Sequence, residues 1–77
     1  LGRALITITN DTCIVSLYGE GRLFKEYKLG GVGKLVIETG DVVLSRCSNG
    51  TCFISIDNVS KVNINRSSEG GYVVKIS

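Results

Sequence analysis

Apolar and polar positions alternate with a period of two along almost the whole chain. Ala4 to Thr9 reads ALITIT, with Ile6 and Ile8 set against Thr7 and Thr9. Cys13 to Tyr18 reads CIVSLY. In the next run Leu23, Lys25, Tyr27 and Leu29 fall on one face. KLVIE (34–38), VVLSR (42–46), TCFISID (51–57), KVNINR (61–66) and YVVKIS (72–77) follow. β-Branched residues dominate these runs, and no longer window keeps a helical period with helix-forming residues. Asn10-Asp11, Gly19-Glu20-Gly21, Gly30 to Gly33, Thr39-Gly40-Asp41, Asn49-Gly50, Asp57-Asn58 and Ser67 to Gly71 interrupt them. Breakers about every nine residues predict an all-β fold, a small antiparallel barrel or sandwich of about seven to eight short strands.

Length changes this picture only by adding a demand for reinforcement. Residues 1–77 are expected to form a single small β-domain. A chain of this size buries only about 60% of its unfolded surface, so a staple or a partner is often needed. A hydrophobic fraction of 43% is enough for a core and argues against disorder. The longest apolar runs fall far short of the ~20 residues of a membrane helix. The chain opens on Leu1 rather than Met, which leaves open a leader or anchor upstream. Nine basic and seven acidic residues give +2, an ordinary surface charge rather than a dedicated nucleic-acid stripe.

RCSNGTC (46–52) holds the most deliberate chemistry. Asn49-Gly50 is a strong hairpin signal, because a type I′ turn needs positive φ at both central residues. Ser48 and Thr51 then form the first rung, and Cys47 and Cys52 the second. That rung is non-hydrogen-bonded, with Cα atoms about 4.5 Å apart, near the short end of what a disulfide accepts. A structural disulfide between Cys47 and Cys52 is the favoured reading. Three alternatives stay open. A zinc site wants four ligands, and beyond this pair the chain has one distant Cys13 and no histidine. A thioredoxin-like motif has two residues between its cysteines and opens a helix. Two reduced thiols would be ordinary in the cytosol. Cys13 is expected to stay unpaired as a small apolar residue of the second strand.

The remaining motifs add little chemistry. GGVGK (30–34) lacks the Ser or Thr and the helix that a phosphate loop requires, so it reads as a flexible β-connection. The seven carboxylates mostly flank turns, and without histidine no triad can be drawn. No catalytic residue, metal ligand or cofactor is assigned. Arg22, Lys25 and Lys28 beside Phe24 and Tyr27 are candidate nucleic-acid contacts. The favoured alternative is an amphipathic edge strand with Leu23 and Tyr27 inward, Phe24 on a rim, and lysines blunting the edge. Asn10, Asn49, Asn58 and Asn65 each begin an N-x-Ser/Thr sequon, which matters only in a glycosylating secretory pathway.

The block KLVIETGDVVLSRCSNGTCFIS (34–55) resembles the NusG domain II family. It has a strand, a Gly/Asp turn, a further strand and a cysteine pair with four residues between, in that order. The upstream LFKEYKLGG and the closing strand from Tyr72 also resemble the family. The chain departs from it at Ser48, where proline is frequent, at Phe53-Ile54-Ser55, where Gly-Trp is frequent, and at NRSSEGG, where many members have a further cysteine. The resemblance implies an all-β domain in one of two settings. One is an insertion in a NusG transcription factor. The other is a stand-alone, membrane-anchored protein with its domain outside the cytoplasm, where oxidised cysteines are favoured. The leading expectation is therefore a non-enzymatic interaction or structural β-domain with a protein partner. Its setting would be extracytoplasmic, with membrane attachment only through a segment missing from this chain. The alternative is a nucleic-acid-associated module of a cytoplasmic transcription factor.

Overall fold

The computed structural model describes residues 2–30 and 34–77. Eight strands form: β1 (Gly2–Ile8), β2 (Thr12–Gly19), β3 (Arg22–Gly30), β4 (Lys34–Thr39), β5 (Val42–Ser48), β6 (Thr51–Val59), β7 (Val62–Arg66) and β8 (Gly71–Ile76). They build a five-stranded sheet, β3-β2-β1-β6-β5, and a three-stranded sheet, β4-β8-β7. Both sheets end in free edges among the described residues, so the fold is an open two-layer arrangement rather than a closed barrel.

Register places the apolar rows. On the inner face of the large sheet, Ile56, Ala4 and Leu17 lie side by side. The next rows are Ile54, Ile6, Val15 and Tyr27, then Cys52, Ile8, Cys13 and Leu29. The small sheet answers with Ile37, Val74 and Ile64, flanked by the rows containing Tyr72 and Ile76. Ile6, Val15, Ile56 and Val74 are the largest fully buried side chains. Each such burial contributes about 1.5–3 kcal/mol before entropy is subtracted. Cys13 is buried and unpaired in β2, as its place in the alternation predicts.

The turns follow local chemistry. Asn49 and Gly50 have φ of 52° and 80°, and Glu20 and Gly21 have 53° and 75°. Both pairs supply the double positive φ of a tight hairpin whose twist matches its strands. At Asn10-Asp11 the Thr9 amide donates to the Thr12 carbonyl at 2.9 Å. The Gly31–Gly33 part of the glycine-rich connection lies outside the described residues.

Two features differ from the expectation. β4 and β8 pair in parallel, from Lys34↔Gly71 to Thr39↔Ile76, whereas the other pairings are antiparallel. Parallel neighbours need a long crossover, and here the chain leaves for the other sheet through β5 and β6 before returning by β7. Gly71 makes this junction possible: its φ is 131°, and a Cβ there would collide with the Lys34 backbone. The second difference is Leu23, expected inward but 50% exposed. The register shifts between Leu17 and Tyr18, so that Lys25 faces Leu17 while Leu23 faces Tyr18. The extra residue breaks strict alternation at that end of β3.

Candidate interaction surface

The Cys47–Cys52 disulfide is present, with Cα atoms 4.0 Å apart. Its rung lies directly beyond Ser48↔Thr51, as the two-residue turn dictates. The bond ties β5 to β6 at the tip of the hairpin. β5 needs that tie, because every one of its residues is exposed. None of the buried core comes from it.

The outer face of the large sheet has no second layer among the described residues. Register gives one row of Glu26, Ser16, Leu5, Ser55 and Leu44. The row beside it is Lys28, Ile14, Thr7, Phe53 and Arg46. Within these two rows small hydroxyl residues separate apolar ones and charge falls on the two edge strands, while Arg3 and Asp57 bring charge to the central strands β1 and β6 at one end of the sheet. Phe53 is 38% exposed and Leu44 52%. Val43, the extra residue where β5 shifts register against β6, is 59% exposed. Among the described residues, four of the six large exposed apolar side chains, Val42, Val43, Leu44 and Phe53, thus lie on the stapled hairpin, and the other two, Leu23 and Phe24, lie on β3 at the opposite edge.

The three cations singled out in β3 do not converge. Lys25 lies in the inner-face row with Leu17, its Nζ 5.2 Å from the centre of the Tyr27 ring. Lys28 lies on the outer face, its Nζ 4.0 Å from a Glu26 carboxylate oxygen. Arg22 sits at the hairpin end, opposite Gly19. Lysines on opposite faces do not make one track for a phosphate backbone. Phe24 is 66% exposed and leans over Gly19, as a rim residue does.

Other groups are scattered. No three His, Cys, Asp or Glu side chains gather as a metal site among the described residues. The Arg3 Nε donates to Asp57 Oδ1 at 2.7 Å across β1 and β6, a pair the sequence did not announce. Both side chains are more than a third exposed, so solvent screening leaves the pair worth little. Beside it an open cleft of about 520 Å³ is lined by Gly2, Leu17, Tyr18, Phe24 and Val59. Burial pushes the Cys13 thiol pKa upward, which makes it a poor nucleophile.

What sequence reasoning missed is the outer face and the bareness of β5. Val42-Val43-Leu44 is three apolar residues in a row, yet all three side chains are exposed. A usable signal was present: apolar residues at consecutive strand positions must show one side chain to each face. No family model, curated protein or solved structure matches this chain.

Proposed function

We propose that this is a non-enzymatic interaction domain that binds a protein partner through the stapled β5–β6 hairpin and the adjoining outer sheet face. The observation that carries the reading is the exposure of Val43, Leu44 and Phe53 on a hairpin held by a disulfide. Exposed apolar groups gathered in one place mark contact surfaces more often than scattered ones do. Fixing them on a rigid hairpin lowers the ordering cost of binding. The disulfide favours an oxidising compartment. With the resemblance to NusG domain II, it supports the extracytoplasmic part of a membrane-anchored protein.

The test is a pull-down from an extract of the source compartment with the native domain and with Phe53→Ser. The reading expects a protein retained by the native domain and lost by a variant whose far-UV circular dichroism is unchanged. Identical retention by both would reject it. The nucleic-acid reading makes the opposite forecast: low-salt binding that weakens steeply with salt and is lost on replacing Arg22, Lys25 and Lys28.

A further inference from the structure

Asn49-Gly50 carries a covalent chemistry of its own besides forming the turn. Both residues are exposed, and Gly50 has nothing within 4 Å of the place a Cβ would take. An asparagine amide is a weak electrophile, and the main-chain nitrogen that follows it is a nucleophile within reach once deprotonated. When that nitrogen attacks Asn49 Cγ, a C–N bond closes a five-membered imide and the side-chain nitrogen leaves as ammonia. Water then opens the imide at either carbonyl, giving aspartate or isoaspartate, in which the main chain runs through Cβ. No oxidant or reductant takes part. Glycine favours the step, because it sets no side chain beside the attacking nitrogen. The other four asparagines are followed by Asp11, Val59, Ile64 and Arg66, whose side chains crowd it.

We propose that Asn49 is a modification site of this kind and that the Cys47–Cys52 disulfide gates it. Asn49 and Gly50 have φ of 52° and 80°, the pattern of a type I′ turn. In that turn ψ of the first central residue is about +30°, which carries the Gly50 nitrogen to the side of the Cα–C bond away from the asparagine Cβ. Ring closure needs the nitrogen eclipsed with Cβ. The closed turn is therefore unreactive, and the reaction proceeds only from the fraction of chains whose turn has opened. Two rungs hold the turn closed, Ser48↔Thr51 and Cys47↔Cys52, and the disulfide lies in the second. β5 adds no core packing that would resist opening. Reducing the bond raises the open fraction by the population factor that its loop entropy supplies, about fivefold to thirtyfold. The oxidised chain keeps its hairpin, and the reduced chain loses it irreversibly. Isoaspartate adds one main-chain atom to a two-residue turn, so the rungs behind it no longer meet in register. The proposal goes beyond the reading of the hairpin as a binding surface and does not depend on it, since it rests only on the turn and the disulfide.

Peptide mapping by mass spectrometry during incubation at mildly alkaline pH tests this, with an isoaspartyl assay on the same samples. The chain is compared oxidised, reduced, and as the double variant Cys47→Ser with Cys52→Ser. Asn49 is expected to convert first among the five asparagines. Its conversion should run about fivefold to thirtyfold faster in the reduced chain and in the double variant than in the oxidised chain. The rates at Asn10, Asn58, Asn63 and Asn65 should stay unchanged. Equal or slower conversion of Asn49 after reduction overturns the gate, and another asparagine converting first overturns the site. A common rise at all five would assign the effect to general unfolding and overturn the gate as well. The Phe53→Ser pull-down reads none of these quantities, so the gate and the binding surface can each fail alone.

Discussion

Replacing both Cys47 and Cys52 by serine should destabilise the domain by about 1–2 kcal/mol and leave its fold intact. The loop closed by the disulfide has about six residues, for which chain entropy gives an upper figure of roughly 2 kcal/mol. Two features of the structure lower it. Asn49 and Gly50 already bias the unfolded chain toward the turn, so the reduced ensemble is less free than a random loop. Cys47 is exposed and Cys52 only half-buried, so serine neither opens a large cavity nor strands a deeply buried hydroxyl. In a domain this small, each kcal/mol moves Tm by about 4–8 °C. The drop should therefore be roughly 5–15 °C, read by far-UV circular dichroism. The native chain with reductant should fall by a similar amount. Thiol titration of the denatured, unreduced protein should give one reactive group, Cys13. A double variant that does not fold would refute the magnitude, because the bond would then supply far more than its loop entropy. No change in Tm, or three reactive thiols in unreduced protein, would refute the assignment of the disulfide as a staple.

Two further perturbations probe the core and the parallel junction. Gly71→Ala should cost on the order of 3 kcal/mol in a urea titration, because the residue has φ of 131° and its new Cβ meets the Lys34 backbone. Gly40→Ala, which meets nothing within 4 Å, should stay within about 0.5 kcal/mol, and equal effects at both sites would refute the argument. Cys13 gives a pH dependence. Burial raises its pKa above the ordinary 9.0, so on raising the pH the unfolded chain loses this proton first and stability falls. Its contribution is whole below about pH 9 and drains away as pH rises toward the folded pKa, at up to about 1.4 kcal/mol per pH unit. Cys13→Ala should flatten the alkaline limb of urea midpoint against pH, and superimposable limbs would refute it.

Strand positions were legible because a half-buried strand writes its geometry into the sequence. Ile6 and Ile8 against Thr7 and Thr9 can satisfy one buried face only as a strand. The Cys47–Cys52 rung was legible for a stricter reason: Asn49-Gly50 fixes the loop at two residues, and loop length fixes every rung behind it. Strand direction was not legible. KLVIET and GYVVKI present the same alternation whichever way they run, and the one local mark of their junction is Gly71, which shows where two backbones approach but not in which direction they run. Leu23 was misplaced because a bulge leaves no mark in the alternation until the partner strand is known. For β3, neighbour Lys25 lies in the inner row and Leu23 does not.

The exposure of β5 follows from a mismatch between the layers. Strands stand about 4.8 Å apart, so three strands cannot roof five, even allowing for twist. The buried core draws on β1, β2, β3 and β6 of the large sheet, and on β8 of the small one. β5 lies beyond that roof, held by one ladder of backbone bonds to β6. A strand so placed would fray first, since it has little apolar burial to resist local opening. The disulfide stands where packing is thinnest, joining the strand that contributes nothing to the core to the one beside it that contributes Ile56. Placed instead between two well-packed strands, the same bond would constrain a chain already fixed by its neighbours. Here it holds an exposed strand, which contributes nothing to the core, to the neighbour that does.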